Sequence, residues 1–211
     1  MSRIAIIDYG MGNLHSMAKA VERVGDGAHV FLASDALSLR RADKVIFPGV
    51  GAIAPCMAEL ARLELDTALV KAAASKPLLG VCLGMQALLD HSDESNGVAG
   101  LGLIAGNASR LPDTAADNET RCKVPHMGWN RVHQTSDHPL WLDIAQDSQF
   151  YFVHSYHAVL DNADDVEATT RYGRPFVAAF AHENIVAVQF HPEKSQSAGL
   201  HLLANFIDWN P

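Results

Sequence analysis

The segment that most constrains this chain is Pro77-Leu78-Leu79-Gly80-Val81-Cys82-Leu83-Gly84-Met85-Gln86. The apolar run Pro77–Val81 reads as a buried strand, and the stretch Leu83–Asp90 reads as a helix that starts at once after it. A strand that passes straight into a helix forces the residue between them into a tight turn. The turn closes only if its neighbours lack side chains. Gly80-Val81-Cys82-Leu83-Gly84 has that form, the nucleophile-elbow pattern G-x-S-x-G with cysteine in the place of serine. In such a turn the N–H of Leu83 points where an oxyanion would form. Taken alone, the pattern also fits a buried structural cysteine between turn glycines.

The rest of the chain extends the strand–helix alternation. Arg3–Ile7, His29–Leu32 and Lys44–Phe47 are short apolar strands, the third stopped by Pro48-Gly49. Between the first two, Leu14, Met17, Ala18, Val21 and Val24 recur at helical spacing, with Asn13 as a capping residue and Gly25 as a stop. Ile53–Ala74 is helical and broken near Leu63. The expected fold class is therefore α/β: an open, mostly parallel sheet flanked by helices. The second half differs. Gly102–Ile104, Trp129–His133, Gln149–Val153, Val166–Arg171, Val177–Ala181 and Ile185–Gln189 are strand-like runs with few helices between them, which predicts an antiparallel part. A last helix covers about Ala198–Trp209, and Asp113–Glu119 reads as an exposed acidic loop with no assigned role. No repeat or linker divides residues 1–211, so one domain is expected.

Composition narrows the function classes. With a formal net charge of −8 and no Lys/Arg cluster, no nucleic-acid or anionic-membrane partner is expected. No apolar run approaches the roughly 20 residues that span a bilayer. The first apolar run is too short for a signal peptide, and a cytoplasmic location is expected. Three cysteines without a C-x-x-C pair argue against a disulfide framework or structural zinc. His154 and His157 form an H-x-x-H without evident further ligands, so no metal and no cofactor are expected. His126, His133, His138 and His182 read as polar surface or satisfied buried groups.

A second motif, His191-Pro192-Glu193, follows the apolar run Ile185–Phe190. Residues two apart in an extended segment share a side, so Glu193 is placed to orient the His191 ring. That supplies a base and its positioning group for a nucleophile. Alone it also fits a surface turn. Together, both motifs fall at the C-terminal ends of predicted strands, where open α/β sheets build their sites. A third motif, Pro48-Gly49-Val50-Gly51-Ala52, extends with Ala54 to G-x-G-x-x-A. It lies at the third strand rather than the first, and Pro55 follows, so a dinucleotide site is not expected. Its amides suit a second oxyanion donor.

Gly80-Val81-Cys82-Leu83-Gly84-Met85-Gln86 with His191-Pro192-Glu193 resembles the class I, or triad, glutamine amidotransferases. Tyr9-Gly10-Met11-Gly12-Asn13-Leu14, Pro125-His126-Met127-Gly128-Trp129-Asn130, Tyr151-Phe152-Val153-His154-Ser155-Tyr156 and His191-Pro192-Glu193-Lys194-Ser195 narrow the resemblance to the glutaminase subunits of imidazole glycerol phosphate synthase, an enzyme of histidine biosynthesis. The resemblance implies Cys82 as nucleophile, His191 as acid/base and Glu193 as its orienting carboxylate. It implies Leu83 and the Val50–Gly51 peptide as the oxyanion hole, and Gln86, Ser155 and Tyr156 around glutamine. Asn13, Met127, Trp129, Tyr151 and Lys194 would face a (β/α)8-barrel cyclase subunit in a heterodimer. Two other readings remain at this point: a class I glutaminase serving another synthetase, and a non-catalytic α/β protein with a reactive cysteine.

Overall fold

The computed structural model describes residues 2–117 and 119–211; Met1 and Asn118, the latter inside the expected acidic loop, lie outside the described residues. The first half alternates as the sequence predicts: β1 (Arg3–Ile7), α1 (Leu14–Val24), β2 (His29–Ala33), α2 (Ala36–Arg40), β3 (Lys44–Gly49), α3 (Ile53–Arg62), α4 (Leu65–Ala73), β4 (Leu78–Cys82) and α5 (Leu83–Ala87). The second half is mostly strand: β5 (Leu89–Ser92), β6 (Val98–Ala99), β7 (Ile104–Arg110), β8 (His126–Arg131), β9 (His133–Gln134), β10 (Gln149–His154), β11 (Tyr156–Leu160), β12 (Val166–Tyr172), β13 (Arg174–His182) and β14 (Ile185–Val188), closed by α6 (Gln196–Asp208).

Among the described residues the main sheet has eight strands in the order β2-β1-β3-β4-β14-β13-β12-β9. The pairs from β2 to β14 are parallel, and those from β14 to β9 are antiparallel. Beside it stand a ribbon, β8–β10, and a smaller sheet in the order β11-β7-β5-β6. The alternation of β1 shows how both faces are covered. Ile4 and Ile6 pack with Met17 and Val21 of α1 and Leu203 and Phe206 of α6. Ala5 and Ile7 pack on the other side with Leu39, Phe47, Leu60 and Leu69. Each such fully buried large side chain contributes about 1.5–3 kcal/mol.

Several expectations are corrected here. β3 runs through Pro48 to Gly49, because those residues pair with Val81 and Cys82 of β4. The helix expected over Leu83–Asp90 ends at Ala87, and Leu89–Ser92 is a strand paired with β6 and β7. Asn13 precedes α1 without a side-chain capping hydrogen bond. β11 and α2 were not anticipated. The break between α3 and α4 falls at Leu63-Glu64, where Glu64 takes φ 55°. Of the acidic stretch, Asp113, Ala116, Asp117 and Glu119 are exposed and Ala115 is buried.

Candidate active site at the strand ends

The site forms where β3, β4 and β14 end side by side. Cys82 is the last residue of β4 and precedes α5, with φ 55° and ψ −109°. That left-handed φ is costly for a residue with a Cβ, of order 1–3 kcal/mol, and such strain persists only where the surroundings enforce it. Gly84 supplies part of that enforcement. A Cβ there would lie 1.8 Å from the carbonyl oxygen of Phe47, so α5 starts directly against the β3 backbone. Gly49 is equally confined, since its Cβ would meet the Tyr9 hydroxyl at 2.6 Å and the Leu83 Cβ at 2.8 Å.

Cys82 is 6% exposed. Its Sγ lies 3.8 Å from the carbonyl oxygen of Val153 and 3.7 Å from Nε2 of Gln189. His191 follows β14 and is buried. Its Nδ1 is 2.9 Å from Oε1 of Glu193. The contact is as expected, but the backbone after His191 is not extended: Pro192–Lys194 is a 3-10 turn, and the turn brings the Glu193 carboxylate to Nδ1. Among the described residues Nε2 of His191 is buried without a hydrogen-bond partner, and Cys82 is near enough to act on the ring electrostatically. Burial opposes the imidazolium. Cys82 and Glu193 outweigh it and raise His191 to about 10. The His191 backbone is fixed from two sides, its N–H donating to Tyr151 O at 2.9 Å and its carbonyl accepting from the Ser195 hydroxyl at 2.6 Å.

Beside the sulfur is a cavity of about 270 Å³. Val50, Gly51, Leu83, Gln86, Ser155 and Tyr156 all line it, so the structure gathers every residue expected at the oxyanion and glutamine positions around Cys82 and His191. Gly51 has φ 95°, a conformation open to glycine. Leu83 opens α5, so its N–H belongs to the first helical turn, whose donors have no intrahelical acceptor.

The expected interface residues form a surface group. Trp129 and Tyr151 are cross-strand partners in the ribbon, with ring centroids 6.0 Å apart. Lys194 Nζ stands 5.9 Å over the Tyr151 ring. Met127 is 62% and Trp129 44% exposed, both on the ribbon's outer face. Asn13 is exposed at the start of α1, which packs against the Pro192–Lys194 turn.

Three participants escaped the sequence reading. Gln189 is a fully buried polar side chain at the end of an apolar strand, which was the one available signal. Glu94 lines the cavity from a short 3-10 turn and accepts the N–H of Ile53 at 2.8 Å. His154 also lines the cavity and is buried, and His126 is buried as well, one of the two placements the sequence allows it. His133 and His182 are exposed, beside Asp147 and Asp165.

A cysteine on a strained strand-to-helix turn, a buried histidine held by a carboxylate and a small cavity between them define a thiol-dependent acyl-transfer site. The chain belongs to the class I glutamine amidotransferase family, whose model matches residues 5–209, and within it to the family of the HisH subunits of imidazole glycerol phosphate synthase. The subunit HisH of that synthase from Methylococcus capsulatus is 54% identical, over 100% of this chain and 98% of the relative. Its counterpart from Nitrosomonas europaea is 48% identical, over 100% of both. Among solved structures, one described as PurLQS from Thermotoga maritima has a TM-score of 0.72 at 18% identity, covering 98% of each chain. A putative GMP synthase protein from Thermoplasma acidophilum has a TM-score of 0.70 at 19% identity, covering 99% of this chain and 93% of that one. These two likenesses concern the fold alone.

Proposed function

We propose that the chain, as one glutamine amidotransferase domain, hydrolyses glutamine through Cys82, His191 and Glu193 and hands the ammonia to a (β/α)8-barrel cyclase subunit for imidazole glycerol phosphate synthesis in the cytoplasm. The observation that carries this reading is His191 itself, held at Nδ1 by Glu193 while Nε2 is left for Cys82 beside the cavity.

The chemistry follows from that arrangement. Cys82 Sγ attacks the side-chain amide carbon of glutamine while His191, raised to about 10, holds the proton at Nε2. The tetrahedral oxyanion forms near the N–H groups of Leu83 and the Val50–Gly51 peptide. As the C–N bond breaks, His191 gives its proton to the departing nitrogen, which leaves as ammonia. A γ-glutamyl thioester remains on Cys82. Acylation also resets the base. The interaction with Cys82 is the main effect raising His191, and a thioester sulfur carries no charge. Burial then lowers His191 against Glu193 alone, and the ring takes a proton from water. That water attacks the thioester and releases glutamate. Glu94 presents a carboxylate to the cavity, complementary to the α-ammonium of glutamine.

Ammonia released into water at neutral pH is protonated and no longer nucleophilic, so delivery needs a sealed contact. The exposed Met127 and Trp129, with Tyr151, Lys194 and Asn13, suit that contact, since aromatics and methionine are enriched at interfaces. The test is glutamate release by the chain mixed with the barrel subunit, with acid quenching and peptide mass analysis for a γ-glutamyl adduct. An adduct on the Cys82 peptide is expected. Turnover with the adduct elsewhere, or with none, would overturn the assignment.

A further inference from the structure

A line of polar groups starts on the inner face of the ribbon β8–β10 and runs through the Tyr156 carbonyl, Gln86 and Gln189 to the Cys82 sulfur. His126 and His154 are cross-strand partners, and Nδ1 of His126 lies 3.0 Å from Nε2 of His154. Nδ1 of His154 lies 2.8 Å from the carbonyl oxygen of Tyr156. That same oxygen accepts from Nε2 of Gln86 at 2.9 Å. Gln86 Nε2 also donates to Oε1 of Gln189 at 3.1 Å, and Gln189 Nε2 points at Cys82 Sγ. At the other end, Asn130 Nδ2 is 3.3 Å from Nε2 of His126.

The protons along this line are determined by what each end requires. A carbonyl oxygen only accepts, so His154 carries its proton on Nδ1. In the neutral ring Nε2 must then accept, and His126 must donate to it from Nδ1. Nε2 of His126 is left to accept from Asn130. The Asn130 amide cannot be reversed without loss, because its Nδ2 donates to Arg171 O at 2.9 Å and its Oδ1 accepts from Arg131 N at 2.8 Å. Tyr156 O uses both lone pairs, one for His154 and one for Gln86. Gln86 in turn can orient Gln189 only with its carbonyl toward Gln86 and its NH₂ toward the sulfur. Only one arrangement of protons allows all of these contacts at once.

We infer that His126 and His154 are positioning residues that link the partner-facing ribbon to the nucleophile, by holding Tyr156 O, Gln86 and Gln189 so that the Gln189 amide is aimed at the Cys82 sulfur. This rests on the reading of Cys82 as the nucleophile. The two faces of the ribbon then have different tasks. Met127, Trp129 and Tyr151 look outward, while His126, Asn130 and His154 look inward from the same two strands. A shift of the ribbon on docking therefore moves the amide that faces the sulfur. Burial holds both rings neutral, the state the line requires, with His126 lowered to about 4 and His154 to about 3.

His126 also has a packing role, stacked on Tyr172 at 4.2 Å and on Phe152 at 4.9 Å between centroids. Two substitutions separate the roles. His126→Phe keeps an aromatic ring and loses the hydrogen bonds. His126→Asn loses the ring and keeps a donor near the position of Nδ1. Steady-state glutamine turnover of wild type and both variants is measured with the barrel subunit present, with unfolding temperatures as a control. The relay predicts that H126F loses about tenfold in kcat, the scale of one positioning hydrogen bond, with KM for glutamine within about twofold. It also predicts that H126N keeps more kcat than H126F although it is less stable. If H126F matches or exceeds H126N, the ring acts by packing alone and the inference is overturned. A second measurement needs neither variant nor turnover. In protein labelled with ¹⁵N-histidine, both rings should show protonated Nδ1 and bare Nε2. The opposite tautomer in either ring overturns the relay, whereas a wild type without turnover overturns the reading of Cys82.

Discussion

Nδ1 of His191 and Oε1 of Glu193 stand 2.9 Å apart, and both side chains are only 3% exposed. A buried imidazole with a carboxylate on one nitrogen is fixed in tautomer and orientation, which leaves the other nitrogen for proton transfer. On the proposed mechanism Glu193 does not itself handle the proton. His191→Ala is expected to lower glutaminase kcat by about 10⁴-fold or more. Glu193→Gln keeps an oxygen acceptor toward Nδ1 and should lose at least tenfold less. Kinetics of the two variants beside wild type check this, and equal losses would give Glu193 a more direct role.

The histidines divide by pH. His191 is raised to about 10 in the folded protein, against about 6.5 unfolded, so its charged form favours folding. That contribution is full below pH 6.5 and is lost as pH rises toward 10. His126 and His154 go the other way, lowered chiefly by burial to about 4 and 3, with His154 also facing His126, His157 and His191. Their contribution is full above pH 6.5 and is lost as pH falls through 4 to 3. Denaturant melts across pH should show His191→Gln costing more stability at pH 6 than at pH 10. They should also show wild type losing stability steeply below pH 5.

Cys82 holds φ 55°, a conformation that suits glycine. Both Cys82→Ala and Cys82→Gly should abolish glutamine hydrolysis. In an ordinary strand or helix glycine is the less stable of the two, by roughly 0.5–1 kcal/mol. Here the order should reverse, with Cys82→Gly more stable than Cys82→Ala by about 1 kcal/mol. Thermal melts of both variants check it. Replacing Cys56 should cost stability but not activity. It is fully buried, its thiol pushed up to about 11 by burial, and it lies outside the cavity lining.

What the sequence made legible follows from range. The parallel half is readable because each strand is a short apolar run, and the residues around the cavity because Gly80–Gly84 and His191–Glu193 are contiguous motifs. β5 read as helix because Leu88 and Leu89 continue the apolar run of α5, and only pairing with β6 and β7 makes a strand of it. β11 has no local signature, because its mixed sequence Tyr-His-Ala-Val-Leu becomes a strand through pairing with β7, far away in the chain. The contacts of Gln189 and Val153 with the sulfur, and the His126–His154 pair, depend on the ribbon register and on the packing of β14. No local pattern encodes those. The His191–Glu193 contact arises through a 3-10 turn and not through the extended geometry that the sequence suggests.

The Val50–Gly51 peptide beside the cavity can present either its N–H or its C=O to the thioester oxygen, and losing one such donor costs roughly 10²–10³ in rate. A ligand can shift that balance only by as much as it prefers one state. The deciding measurement is steady-state glutamate release by the chain alone, by the chain with the barrel cyclase subunit, and by that pair with the cyclase's nucleotide substrate bound. The account predicts a weak rate alone and a rise on pairing and on ligand binding, carried mainly by kcat. Three equal turnover rates would contradict it.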